Sequence, residues 1–209
     1  MKQWNNLTPH KFFPDYAGQA IKSEGVTLIE MLVAVTIFGI TIGAISGLFI
    51  SGIRTQRRVL ATQELLDQTS YALEYMGRAL RMAKKDTNRT CLTTANYNYE
   101  NPSGVSTVRF INYNGICQEF FSENNQLKEK KSSDGTAANL PPSGTPITSD
   151  KLQVNFLKFN LSGEAQPPTD NLQPRVTIFM EIEGRGPVGE RPKIQIQTSI
   201  SQRDLDVRY

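Results

Sequence analysis

Histidine is almost absent from this sequence: His10 is the only one among 209 residues. Serine- and cysteine-type triads need an imidazole as general base, and many metal sites need one as ligand, so both chemistries lose their usual support. Cysteine is scarce too. Cys91 and Cys117 stand alone, too few for a thiolate zinc site and too far apart for a CxxC redox pair. Neither sign of charge dominates, since 23 Lys and Arg against 20 Asp and Glu leave a formal net charge of +3. That balance argues against a nucleic-acid surface or a polybasic membrane patch. Phosphate-binding loops are missing: the stretch GRGPVG lacks the Lys-Ser ending of a P-loop, and no GxSxG elbow occurs. The carboxylates are too scattered to nominate an acid/base pair. Asp134 beside Gly135, and Asp204 with Asp206, read as turn and tail residues, because no alternating oxygen-ligand run such as DxDxDG surrounds them. No catalysis, metal or cofactor is expected.

What the chain does have is one long uncharged run. From Met31 to Ile53 the sequence reads MLVAVTIFGITIGAISGLFISGI, 23 residues without a charge. At about 1.5 Å per residue this crosses a hydrocarbon layer of roughly 30 Å. A secretory signal peptide would have a shorter apolar region and a small-residue A-x-A site after it, and neither is present. Gly39, Gly43 and Gly47 form a GxxxGxxxG row, a spacing that lets membrane helices approach closely. The general abundance of glycine in membrane helices accounts for the row equally well. Glu30 stands at the front of the run, and an acid there costs roughly 2.5 to 3.5 kcal/mol on insertion scales, so it calls for a partner or a place at the headgroup boundary.

The residues around that acid are KSEGVTLIEMLVAV, Lys22 to Val35. This string resembles the class III signal of type IV prepilins and pseudopilins, over about thirty of the 209 residues. The resemblance implies that a prepilin peptidase cuts after Gly25 and methylates the new N-terminus at Val26. Thr27, Leu28 and Ile29 match the following positions, and Glu30 matches the family's glutamate, fifth in the mature chain. Phenylalanine usually occupies the first mature position, where this chain has Val26, and the 25-residue leader is longer than the commonest ones. Glu30 would then meet the cationic amine of a neighbouring subunit's Val26. His10 falls in the leader, so the mature chain of 209 − 25 = 184 residues would contain no histidine.

Beyond Ile53 the pattern becomes amphipathic. Val59, Leu66, Leu73 and Leu80 recur every seven residues, with Met76 and Ala83 between, which predicts a helix continuing to about Lys85. After Asp86 loops alternate with strand-like segments. STVRFINY reads as a strand, QEFFS and QLKEK as a hairpin across ENN, and KLQVNFLKF as a strand with a bulge at Phe156-Leu157. In RVTIFMEIEG the residues Val176, Ile178, Met180 and Ile182 face one way; in PKIQIQTSIS Ile194, Ile196, Thr198 and Ile200 do. The stretch SSDGTAANLPPSGTPITSD reads as a mobile loop. Cys91 and Cys117 suit a disulfide that staples the helix end to the sheet, with two buried thiols as the alternative.

These readings predict an α+β subunit, with one antiparallel sheet of four or more strands packed on the outer half of a long N-terminal helix. The expected organisation is a leader at 1–25, a transmembrane and assembly helix at 26–53, an amphipathic continuation at 54–85 and a β-rich extracytoplasmic domain at 86–209. Orientation draws on two opposed signals. Arg54, Arg57 and Arg58 follow the run closely, so a positive-inside count favours a cytoplasmic C-terminal domain. The resemblance implies the reverse, with the leader facing a cytoplasmic peptidase, and the cysteine pair suits an oxidising exterior.

By resemblance the function is that of a minor pilin or pseudopilin of the J or W type, which initiates or caps a filament. Its partners would be other pilin subunits, the prepilin peptidase and an inner-membrane assembly platform, with no nucleic acid. A single-pass anchored binding protein or adhesin is the rival reading, and an exported hydrolase is the enzyme alternative.

Overall fold

The computed structural model describes residues 25–165, 170–187 and 191–204. Residues 1–24, His10 among them, which the sequence reading assigns to a leader, and Asp206 lie outside the described residues. The chain divides into two compact units, with the boundary between Phe49 and Ile50. One element, helix α1 (Leu28–Arg81, 54 residues), belongs to both.

In the first unit every described residue is exposed. Thr36 and Thr41 turn their hydroxyls back onto the carbonyls of Val33 and Ile37, both at 2.8 Å. A helix that satisfies its own hydroxyls in this way keeps them compatible with lipid.

The second unit is α+β, as the sequence predicts, with two antiparallel sheets where one was expected. β1 (Thr107–Ile111), β2 (Cys117–Glu123), β3 (Gln126–Lys131) and β4 (Thr145–Pro146) form the first, in that order. β5 (Leu152–Ser162), β6 (Arg175–Gly184) and β7 (Lys193–Ser201) form the second. The split has a local cause. β4 is only two residues long and contains Pro146, which has no N–H to extend a ladder, so the first sheet closes there and the chain starts another.

The hairpin between β2 and β3 turns on Asn124 and Asn125, both with positive φ (53° and 58°). Two such residues make the tight turn whose twist suits antiparallel strands, and asparagine tolerates that conformation. In β5 the ladder slips between Val154 and Phe156, one residue ahead of the expected bulge. The slip re-phases the strand: Leu152 and Val154 point into the core before it, Leu157 and Phe159 after it, and Phe156 is left outside at 52% exposure.

One apolar cluster unites α1 with both sheets: Leu65, Ala72, Met76 and Leu80 of the helix share it with Val108, Phe110 and Phe120 of the first sheet and Phe159, Ile178 and Ile182 of the second. The buried helix face is Leu65, Thr69, Ala72, Met76, Gly77 and Leu80; of the predicted stripe Met76, Leu80 and Ala83 are buried, whereas the heptad positions before them drift off that face. A seven-residue repeat drifts about 20° per heptad on a straight helix. Counting back from buried Leu80, Leu73 is half-buried, Leu66 is 43% exposed and Val59 is 50% exposed.

Helix α1 stops at Arg81, short of the predicted Lys85, because its next residues are claimed by other partners. The Lys84 N–H donates to Ile111 O at 2.8 Å, and the Asp86 N–H to Tyr97 O at 3.0 Å. The segment read as a mobile loop is instead fastened. Ala137 N–H reaches Thr90 O, Ile147 N–H reaches Leu127 O, and Ser149 N–H reaches the Gln68 side chain.

Candidate functional site

The candidate site is the start of α1. Gly25, Val26 and Thr27 precede the helix, which begins at Leu28. Thr27 caps it: the Glu30 N–H donates to Thr27 Oγ1 at 3.3 Å, and the Met31 N–H donates to Thr27 O at 3.2 Å. Thr27-x-x-Glu30 has the spacing of a capping box, a signal legible in the sequence itself. Its consequence is electrostatic. Glu30 lies in the first turn, where unpaired N–H groups make the helix end positive, so an anion there gains typically 0.3 to 1 kcal/mol. That offsets part of the cost of an acid beside an apolar run and leaves its outward face open to a cation.

Past Glu30 no acid occurs until Glu64. From Met31 to Leu60 every side chain is exposed, Leu32, Val35, Phe38, Ile42 and Phe49 among them. Gly39, Gly43 and Gly47 have nothing within 4 Å of where a Cβ would stand, so the row presents a strip with no neighbour among the described residues. The helix is long and apolar enough to cross a membrane, and no residue of its most apolar window is buried within the protein. An apolar surface of this extent is unstable in water and requires lipid or other helices against it.

Residues 21–46 match the family model of the prokaryotic N-terminal methylation motif. The chain carries the type IV prepilin signature. No curated protein and no solved structure matches it. With its N-terminal apolar helix, this signature supports a type IV pilin-like or pseudopilin protein with a single-pass membrane anchor. It also implies processing by a prepilin peptidase and assembly with other pilins.

Cys91 and Cys117 form a disulfide, Cα to Cα 5.3 Å, that ties the loop after α1 to the first residue of β2. The pair lies in a second, smaller apolar cluster with Leu92 and Ile111. Closing a loop of this length contributes roughly 3.5 kcal/mol on the chain-entropy account. Beside it sits Asp86, the anchor that sequence reading missed. Its carboxylate accepts backbone N–H groups of Asn88, Thr90, Cys91 and Leu92 at 2.7 to 3.2 Å, and the Thr90 hydroxyl as well. Burial alone would raise this carboxyl's pKa, but the four N–H donors outweigh it and hold the group below the usual range.

Asp134 spends its oxygens locally, accepting from Thr136 N–H and hydroxyl and from the Asn139 amide. Among the described residues no group of three or more metal-binding side chains converges.

Proposed function

We propose that this protein is a filament subunit of the type IV pilin or pseudopilin class, cut after Gly25 and methylated on Val26. The observation that carries the reading is the junction of two features. A helix with no charge from Met31 to Ile53 stands uncovered, and its first turn holds one acid capped by Thr27. Before assembly this run lies in the bilayer with the second unit on the extracytoplasmic side. On assembly it moves into the filament core, where neighbouring helices cover it and the Gly39, Gly43 and Gly47 strip permits close approach. Glu30, in the first turn of the helix, binds the freed amine of a neighbour's Val26 and so sets axial register.

The role we assign is that of a minor subunit, of the J-type pseudopilin or W-type pilin kind, that initiates or caps the filament. The assembly platform supplies the work. This chain supplies surface, register and a disulfide-fastened domain, with no bond-making step of its own. The extracytoplasmic placement agrees with the Cys91–Cys117 disulfide, since such bonds persist in oxidising compartments.

Incorporation of Glu30→Ala and Glu30→Gln variants into sheared filaments tests the register role. Both variants should be cleaved and stay in the membrane yet fall at least about tenfold in filament content, the equivalent of 1.4 kcal/mol. Wild-type incorporation of the alanine variant would remove Glu30 from the account.

A further inference from the structure

Two sheets have four edges, and three of these are blocked. β1 is covered by bridges from Lys84 to Ile111 and from Glu100 to Arg109. β4 is two residues long and contains Pro146. β5 gives its N–H groups at Val154 and Phe159 to the carbonyls of Asn125 and Val105, at 2.8 and 2.6 Å. β7 is different. It runs nine residues, pairs with β6 on one side, and receives no backbone hydrogen bond from any other described element. Natural sheets blunt such an edge with proline, a bulge or charges along the strand. Between Ile194 and Ser201 the sequence IQIQTSIS has none of these.

The surroundings of β7 are shaped for an occupant. Its inward side chains stand opposite Ile182, Met180, Ile178 and Val176 of β6, all nearly fully buried. Yet Ile194, Ile196 and Thr198 remain half-buried, so the apolar layer is left incomplete at this edge. A cavity of about 290 Å³ opens between the C-terminal end of β7 and α1, with Leu73, Gly77 and Ile200 among its walls and Arg78 and Arg81 at its rim. Arg78 is paired with Glu74, whereas the Arg81 guanidinium has no ion-pair partner among the described residues.

We propose that β7 accepts an added strand from a different polypeptide. The chemistry specifies that strand: an extended segment matching β7 in length, antiparallel to it, with apolar side chains at alternate positions to finish the layer over Ile194 and Ile196. Because its N-terminal end lies beside Ile200, an acidic side chain there meets Arg81.

A second copy of β7 is the rival occupant, and charge disfavours it. Antiparallel self-pairing would bring Lys193 and Ile194 of the second copy to the Ile200 end, and β7 contains no acidic residue to offer Arg81.

Hydrogen exchange of the detergent-extracted full chain tests the proposal. The probe is a synthetic peptide of glutamate followed by alternating valine and threonine, N-methylated on alternate amides so that one edge remains free to pair. Alternate β7 amides should slow by about tenfold or more with this peptide and be unaffected by the same peptide methylated on every amide. Arg81→Glu should weaken the glutamate-led peptide and favour a lysine-led one. Ile196→Lys should abolish protection of β7 while β6 amides stay slow; should that variant lose its β6 protection, the Arg81 charge exchange decides alone. No protection, or equal protection by both peptides, overturns the proposal. So does β7 protection that grows with protein concentration in the absence of peptide, which assigns the edge to a second copy. None of these readings depends on the fate of the leader.

Discussion

A carboxylate exposed over 1% of its surface is costly unless its oxygens are fully engaged, and at Asp86 four backbone N–H groups and a hydroxyl engage both of them. The loop that bears Cys91 is shaped around this one side chain. Because the folded carboxyl sits below its unfolded value, its contribution is complete above an unfolded pKa of about 3.9 and fades as pH falls through the folded value. Asp86→Asn keeps the shape and removes the charge. Denaturant unfolding at neutral pH should show the variant less stable by about 1.5 to 3 kcal/mol, the range for hydrogen bonds to a charged group. The gap should narrow below about pH 4, and a gap independent of pH would place the loss elsewhere. The disulfide gives a second prediction at this scale: Cys91→Ser with Cys117→Ser should lower stability by roughly 3.5 kcal/mol in the same measurement, and a change under 1 kcal/mol would contradict its role as a staple.

At the scale of elements, α1 has one face for its own domain and another that this chain leaves bare. Leu65 is buried and Leu66, beside it in sequence, is 43% exposed. Leu65→Ala should therefore cost about 2 to 5 kcal/mol of unfolding free energy in the extracted full chain. Leu66→Ala should stay within about 0.5 kcal/mol, as surface changes do, and equal costs would restore the heptad row as the packing face. The same contrast shows where sequence reading succeeds. β6 and β7 alternate strictly, and each predicted inward residue faces the core side. The ENN turn and the bulge were legible for related reasons, since asparagines tolerate positive φ and adjacent apolar residues break a two-residue period. The failures are those of tertiary competition. The helix end was decided by Ile111 and Tyr97 drawing Lys84 and Asp86 away, and the second sheet by Pro146; neither partner is visible from local periodicity. At the candidate site the acid and its apolar setting are legible in the sequence, and the Thr27-x-x-Glu30 spacing carries the capping role that the structure shows.

The whole molecule joins a run that needs lipid or other helices around it to a domain that carries its own core and disulfide. On the proposed function, the run would hold the subunit in the membrane and later pack in the filament, while the domain remains folded throughout. The account fails as a whole if the leader is not removed, because no neighbour's amine would then be free to meet Glu30. Mass spectrometry of the membrane-extracted chain, co-expressed with a prepilin peptidase, addresses this directly. The account predicts a mature chain that begins at Val26 and carries one methyl group on its amine; a chain that keeps residues 1–25 in the presence of active peptidase would contradict it.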